Sequence, residues 1–187
     1  LGGMALSAVC SAFSSFIIYF AQDKEGIQTI TYWMMGSLAG AKWEHMALIG
    51  GITALAVLFF WSQSRILNLM LLGDASAITL GTDLHPYRQA YLIVSALVVG
   101  FAVFAAGMIG FVGLVVPHIV RMLVGTDHKR LVPVSALVGA IFLVVADGLC
   151  RVLIPHTELP IGILIALVGA PAFIYLMVKR TYGFGGQ

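Results

Sequence analysis

Charge is scarce in this sequence. Asp, Glu, Lys and Arg make up only 10% of its 187 residues, whereas 60% of the residues are hydrophobic. Ordinary soluble domains contain roughly 25% charged and about 45–50% apolar residues, so the composition excludes a water-soluble globule. The net charge is +2, which offers no basic patch of the kind that binds nucleic acid.

Cysteine is scarce as well, and the common catalytic motifs are missing. The two cysteines, Cys10 and Cys150, stand far apart inside apolar runs, which indicates small packing residues rather than a disulfide framework. No lysine precedes Ser or Thr, so the sequence has no Walker A loop, and it has no His-Glu-x-x-His motif. The histidines lack metal-ligand spacing. We therefore expect no metal site, no cofactor and no enzymatic activity, with any energy source on another chain.

What the sequence has in abundance is long apolar runs. A membrane-spanning helix needs about 20 apolar residues, and residues 1–22, 46–64, 131–149 and 159–178 supply four such runs. Residues 89–120 are too long for one straight crossing, and the helix breakers between Gly107 and Gly110 predict a turn there, followed by a shorter span to about Val124. The sequence thus predicts six spans. Because it starts inside an apolar run without a leader, we expect a piece of a longer membrane protein.

The basic residues predict the orientation of these spans. Cytoplasmic loops are enriched in Lys and Arg, and the basic residues of this chain divide unequally between the two sides. One side holds Arg65, Arg88, Arg121, Lys129, Arg130, Lys179 and Arg180, and the other holds Lys24, Lys42 and Arg151. The first side is predicted to be cytoplasmic, and both ends of the chain lie there.

Two connecting segments are too apolar to be simple loops. The outer one carries uncharged sequence over residues 27–41, headed by Tyr32 and Trp33, which favours an interfacial or re-entrant half-helix. In the inner one, Asp74 is expected to cap a short helix that Gly81 ends, while Asp83 and Pro86 start the next. The inner segment therefore predicts a pair of short cytoplasmic helices.

Two sets of polar residues inside the spans are candidate functional sites. Ser7, Ser11 and Ser14 lie on one helical face, where they either allow tight helix packing or form the wall of a polar passage. Asp147 and Arg151 lie four residues apart near the outer end of the fifth span. An intramembrane charge costs about 2.5–3.5 kcal/mol on insertion scales, so this pair is either functional or an ion pair that tolerates burial.

A series of motifs in fixed order carries a family resemblance. It comprises residues 33–40 (WMMGSLAG), 73–81 (GDASAITLG), 110–121 (GFVGLVVPHIVR), 125–130 (GTDHKR), Asp147 with Arg151, 158–162 (ELPIG) and 169–171 (GAP). The sequence closely resembles the permease subunits of the FecCD family, which are type II ABC importers for iron-siderophore complexes, haem and vitamin B12. The resemblance covers essentially the whole chain.

The resemblance implies an all-α, polytopic transmembrane bundle in which residues 1–187 form a single permease domain. Family members have ten spans, so the six here correspond to the fifth to tenth. The short inner helices would couple to a cytoplasmic ATPase, and Ser7, Ser11 and Ser14 would line the translocation pathway. Arg151 would pair with a carboxylate of a periplasmic or lipid-anchored binding protein. The coupling residues would be Gly73, Asp74, Ala77, Leu80 and Gly81.

The function implied is import of an iron(III)-siderophore or similar metal chelate across a bacterial or archaeal cytoplasmic membrane. The permease would be surrounded by lipid and paired with a second permease copy, identical or related. Haem and vitamin B12 are alternative cargoes. A secondary transporter would need several acidic residues at mid-span, and only Asp147 approaches that. A membrane scaffold would need no coupling segment, so its activity would tolerate substitution at Gly81.

Overall fold

The computed structural model describes residues 2–20, 24–153 and 159–183, with the backbone alone beyond Ile174. These ranges are helical with short turns, and no strand occurs within them. The helices are α1 (Gly2–Phe20), α2 (Lys24–Met35), α3 (Trp43–Ser62), α4 (Ser64–Met70), α5 (Asp74–Thr79), α6 (His85–Ala106), α7 (Val112–Val124), α8 (His128–Leu153) and α9 (Ile161–Gly183). The all-α prediction is confirmed.

Six of these helices coincide with the predicted spans. By length and composition, α1, α3, α6 and α8 are long and apolar enough to cross a membrane. The apolar helix α7 and the described apolar part of α9, Ile161–Ile174, are shorter. α8 begins three residues before the predicted span and ends four residues after it, so Asp147 and Arg151 both lie within the helix. The chain is therefore a multi-pass helical bundle.

The predicted break between the third and fourth spans is confirmed. α6 ends at Ala106, and Gly107 adopts a left-handed φ of 71°. A Cβ atom on Gly107 would overlap the carbonyl oxygen of Trp33, so this turn requires glycine both for its backbone angle and for its close packing. α7 then starts at Val112 and ends at Val124, as predicted.

The outer half-helix is present, but its predicted bounds of 27–41 are wrong. α2 starts earlier, at Lys24, and ends at Met35 because Gly36 turns the chain with a φ of 75°. The amide of Ser37 then donates a hydrogen bond of 2.9 Å to the carbonyl oxygen of Ala106. The turn after α2 is therefore attached to the end of α6 instead of continuing as helix.

The inner segment contains two short helices, but they differ from the predicted pair. α4 directly follows α3, and α5 is the helix predicted after Gly73. The helix that Asp83 and Pro86 start is the first turn of α6, where the amide of His85 donates to the Asp83 carboxylate over 2.9 Å. It was expected to be short and is in fact the start of a span, because no proline follows Pro86 before Gly107 and the single glycine between them, Gly100, is tolerated within the helix.

The core lies between α7, α8 and α9. One cluster joins Val116 and Val120 of α7 to Leu131 of α8. A second joins Cys150 near the end of α8 to Ile165 of α9. α1 contributes no buried residue within the described structure. The buried position of Cys150 agrees with its predicted packing role, whereas Cys10 on α1 is exposed, so the same prediction is wrong for Cys10.

Hydrogen bonds place the helix ends on two opposite faces. At the predicted inner face, Trp61 at the end of α3 donates to the carbonyl of Lys129 at the start of α8 over 3.0 Å. At the outer face, the end of α2 contacts both the α6–α7 turn and the start of α9, where a Cβ on Gly162 would overlap the carbonyl oxygen of Met35. The segments 63–84 and 125–130 thus share one face, as the distribution of basic residues predicted.

Candidate functional site

The inner segment from Gly73 to Gly81 presents an apolar surface around a small anchor. Ala77 of α5 is fully buried, whereas Ile78 and Leu80 are 68% and 65% exposed. Of the predicted coupling residues, Ala77 therefore attaches α5 to the bundle, and Leu80 is available to a partner. Ile78, which the sequence reading did not single out, extends the same exposed surface.

Gly81 ends α5 as predicted. Its amide donates to the carbonyl of Ile78 over 2.9 Å, and the next amide, of Thr82, donates to Ala77 over 3.0 Å. This is the Schellman arrangement, in which the residue after the helix takes a left-handed conformation, and Gly81 has a φ of 79°. A side chain added at Gly81 would meet open space. Substitution there therefore strains one backbone angle without a steric clash in the described structure.

Asp74 does not cap α5, contrary to the sequence expectation. Gly73 occupies the N-cap position with a φ of 86°, and no side chain caps the helix. The Asp74 carboxylate instead accepts two hydrogen bonds from Arg88 of α6, at 2.7 Å to Nη2 and 3.4 Å to Nη1. This exposed ion pair connects α5 to the first turn of α6. Its partners are 14 residues apart, beyond the range of helix-capping patterns.

A second connection runs from α4 to α8 and was missed by the sequence reading. The amide nitrogen of Asn68 donates to the Asp127 carboxylate over 2.7 Å. The amide oxygen of Asn68 accepts from the backbone N–H of His128 over 2.8 Å, and it lies 2.7 Å from Nδ1 of the same histidine. The only feature of the sequence that points to this connection is an asparagine between two leucines, and it does not indicate which residues Asn68 bonds to.

The hydrogen bonds at the start of α8 favour the ionised form of Asp127. Its carboxylate accepts hydrogen bonds from the Asn68 side chain and from the backbone N–H of Lys129, and the cations of Arg130 and Lys129 lie nearby. These interactions hold the pKa of Asp127 below its ordinary value. The ionised Asp127 acts as the side-chain cap of α8.

The predicted pathway residues lie on α1, away from the core. Ser7 and Ser11 are exposed, and Ser14 is half-buried. The Ser14 hydroxyl donates to the carbonyl of Cys10 over 3.0 Å, a bond within the helix that reduces its cost in an apolar environment. The described residues bring none of the three serines into the core, so a polar face on α1 remains open to a neighbouring surface.

At the outer face, Arg151 and Asp147 form the predicted ion pair within α8. The distance from Arg151 Nε to Asp147 Oδ2 is 2.8 Å, and the two side chains are 51% and 25% exposed. About half of the Arg151 side chain is thus exposed at the outer face, and the Asp147 carboxylate partly balances its charge. Residues 154–158, which follow α8, lie outside the described residues.

Histidines and other potential ligands are dispersed. No group of three His, Cys, Asp or Glu residues that could hold a metal ion occurs in the described part of the chain. His118 of α7 instead packs edge-on against Phe173 of α9, with ring centroids 6.4 Å apart. Its position is explained by helix packing.

Comparisons with known proteins agree on one family. The model of the FecCD transport family matches residues 1–179. The hemin transport system permease protein HmuU of Yersinia pestis is 38% identical over 180 residues, which cover 96% of this chain and 54% of that protein. The vitamin B12 import system permease protein BtuC of Salmonella typhi is 42% identical over 183 residues, covering 97% of this chain and 55% of that protein.

The fold agrees with a solved structure as well. A chain described as the inward-facing conformation of a metal-chelate type ABC transporter superposes with a TM-score of 0.89 and 38% identity, over 95% of this chain and 57% of that one. The chain thus spans about half the length of the relatives it matches.

Proposed function

Because the chain belongs to the FecCD transport family, we propose that it forms part of the permease subunit of an ABC importer for an iron(III)-siderophore or similar metal chelate. Haem and vitamin B12 are the alternative cargoes, since relatives named for hemin transport and vitamin B12 import are 38% and 42% identical to it. The subunit would act in a cytoplasmic membrane and catalyse no covalent chemistry.

The observation that carries the proposal is the exposed apolar surface of α5 at the inner face. Leu72, Ile78 and Leu80 are each more than 60% exposed in a segment that lies beyond the ends of the spans. Several exposed apolar residues in one short segment, covered by neither a core nor the hydrocarbon, are typical of a protein contact. The sequence lacks a Walker A loop, so the partner proposed for this surface is a cytoplasmic ATPase.

The proposed mechanism is alternating access. ATP binding would close two ATPase subunits, and their movement would displace α5 and tilt the spans attached to it. The serine face of α1 would line the pathway with a second permease copy, and its small neutral side chains suit a large chelate that must be released. Arg151 at the outer face would contact a binding protein that delivers the cargo.

Gly81→Arg tests this proposal. The arginine would extend from α5 into open space, where it would obstruct the ATPase contact. We expect the importer to assemble and hydrolyse ATP while uptake is lost. Uptake is measured with labelled ferric siderophore, haem and cobalamin in cells that carry the complete gene, its ATPase and its binding protein, against cells that lack only this permease.

Gly81→Ala is the matched control. It imposes the same left-handed strain, roughly 1–2 kcal/mol for a residue with a Cβ, but adds no bulk, so most uptake should remain. Normal uptake by Gly81→Arg would refute the coupling role. If none of the three labelled compounds depends on the gene, the cargo is of another kind and the secondary-transporter alternative gains support.

A further inference from the structure

Asn68 occupies the junction between the coupling segment and the longest described helix. It lies in α4, and both ends of its amide group contact the turn that starts α8, at distances of 2.7 and 2.8 Å. Since an amide has one acceptor oxygen and one donor nitrogen, this arrangement uses both functions of the side chain on the same turn. Because Asn68 and the turn at Asp127 and His128 are far apart in sequence, these hydrogen bonds constrain the orientation of α4 relative to α8.

α4 is in turn connected to α5 without a flexible linker. Between the two helices, Leu71, Leu72 and Gly73 donate backbone hydrogen bonds to Asn68, Leu69 and Met70 at 3.1–3.3 Å. Consecutive turns of this kind hold the backbone of the linker in one conformation. A displacement of α5 therefore moves Asn68.

α8 extends from this junction to the outer face. Its 26 residues from His128 to Leu153 span about 39 Å at about 1.5 Å per residue, and Arg151 lies in its last turn. α8 also carries the core contacts to α7 and α9. A force applied at the start of α8 would thus reach both the packed core and the outer surface.

We propose that Asn68 is the positioning residue that transmits displacement of the coupling segment to α8, through its paired hydrogen bonds to Asp127 and His128. This inference rests on the proposed coupling of α5 to an ATPase. The proposed route from α5 to α8 is separate from the ion pair between Asp74 and Arg88, which connects α5 only to α6.

An exchange of the two side chains tests the pairing. In Asn68→Asp, a carboxylate would face Asp127 at the present distance of 2.7 Å, and two carboxylates at that distance repel. In the wild type one oxygen of Asp127, Oδ1, accepts from both Asn68 and the backbone N–H of Lys129. Adding Asp127→Asn supplies an amide nitrogen that donates to the carboxylate at position 68, while the bond from Lys129 has to pass to the amide oxygen. The carboxylate at position 68 keeps the bonds from His128. The double variant therefore restores the contact between positions 68 and 127 with its donor reversed.

The readout is uptake per ATP hydrolysed in the assembled importer, reconstituted with its ATPase and binding protein. Coupling energies between sites typically correspond to factors of 5–150, so we expect Asn68→Asp to lower this ratio by about fivefold or more. The double variant should return it to near the wild-type value. Asn68→Ala, which removes the bonds without repulsion, is the second variant if Asn68→Asp does not assemble.

Trp61→Phe is the matched control. It removes the 3.0 Å bond to the carbonyl of Lys129 in the same turn of α8, but from α3 rather than from the coupling segment. It should lower the thermal midpoint without changing uptake per ATP. An equal loss of coupling in Trp61→Phe would show that Asn68 only stabilises the turn, and would overturn the proposal.

Two other results would also overturn it: a wild-type ratio in folded Asn68→Ala, or a folded double variant that stays uncoupled. Gly81→Arg, measured in the same preparation, separates this failure from that of the proposed function. If Gly81→Arg uncouples and the Asn68 variants do not, only the role of Asn68 is wrong. If Gly81→Arg leaves uptake normal, the coupling surface itself is wrong.

Discussion

The carboxylate of Asp127 shows how one residue stabilises a junction between helices. It accepts a 2.7 Å bond from Asn68 and a 3.0 Å bond from the backbone of Lys129, and Arg130 follows directly. Each of these groups favours the ionised form, which lowers the pKa of Asp127 in the folded protein. An unfolded aspartate has a pKa of about 3.9. The stabilisation is therefore complete above that pH and is lost as the pH falls through the lower, folded value.

At this scale we predict a pH-dependent difference between the wild type and Asp127→Asn. The wild type should have the higher thermal midpoint above the ordinary aspartate pKa of about 3.9. The margin should shrink below about pH 3.9, because the wild-type carboxylate becomes protonated. At higher pH, burial lowers the pKa of His128 and the charge of Asp127 raises it, so the margin depends there on the histidine as well. Unfolding followed by circular dichroism over the pH series measures the margin, and a margin that grows below about pH 3.9 would contradict the assignment.

At the scale of elements, the outer half-helix α2 is held by close backbone contacts. Its end lies against Gly107 in the α6–α7 turn and against Gly162 at the start of α9. Neither position has room for a Cβ atom, since the nearest atoms are the carbonyl oxygens of Trp33 and Met35. Backbone atoms cannot rotate aside as a flexible side chain can, so these glycines determine how closely α2 approaches the bundle.

We predict that Gly162→Ala destabilises the bundle by roughly 1–3 kcal/mol, the usual cost of overpacking. Gly148→Ala in α8 is the control, because a Cβ there meets nothing within 4 Å, and it should be neutral or stabilising by up to about 1 kcal/mol. Equilibrium unfolding in detergent compares the two variants. Equal stabilities would mean that α2 can shift outward without cost.

At the scale of the whole molecule, the two proposed contact surfaces lie on opposite faces. α5 and the α7–α8 turn are at the inner face, and Arg151 is near the outer end of α8. Half of the Arg151 side chain is exposed although it pairs with Asp147. A partly exposed cation at the rim of an interface contributes mainly to the rate of association and its salt dependence.

We predict that Arg151→Glu weakens binding of the partner binding protein, and that an opposite charge change on that protein partly restores it. Arg151→Gln is the milder variant, since it leaves Asp147 without a like charge beside it. Arg65→Glu, the same charge reversal at the inner face, is the control and should leave the affinity unchanged. Affinity is measured at low salt, where charge contacts are least screened, and an unchanged value for Arg151→Glu would remove the docking role.

The helices and their breaks could be predicted because they depend on local properties. Hydropathy over about 20 residues identifies a span, and Gly81 and Gly107 favour turns because glycine adopts a positive φ without steric cost. The prediction failed where a side chain can bond either to its own helix end or to a residue further along the chain. Asp74 suits a helix cap by type, but its carboxylate pairs with Arg88 instead. The outer half-helix was predicted to continue beyond Met35, because no neighbouring residue indicates that the chain turns toward α6 at Gly36.

The sequence by itself determined the class of protein and the spans, since burial of apolar residues in lipid is a property of each segment alone. Its motifs determined the family, and its basic residues predict the orientation of the spans. Only the tertiary structure decided that Asn68 would bind a turn 59 residues away, that Ala77 would be buried beside exposed Ile78 and Leu80, and that α2 would pack on two glycines. A hydrogen bond or a close approach depends on the relative positions of two helices, which their separate hydropathies leave open.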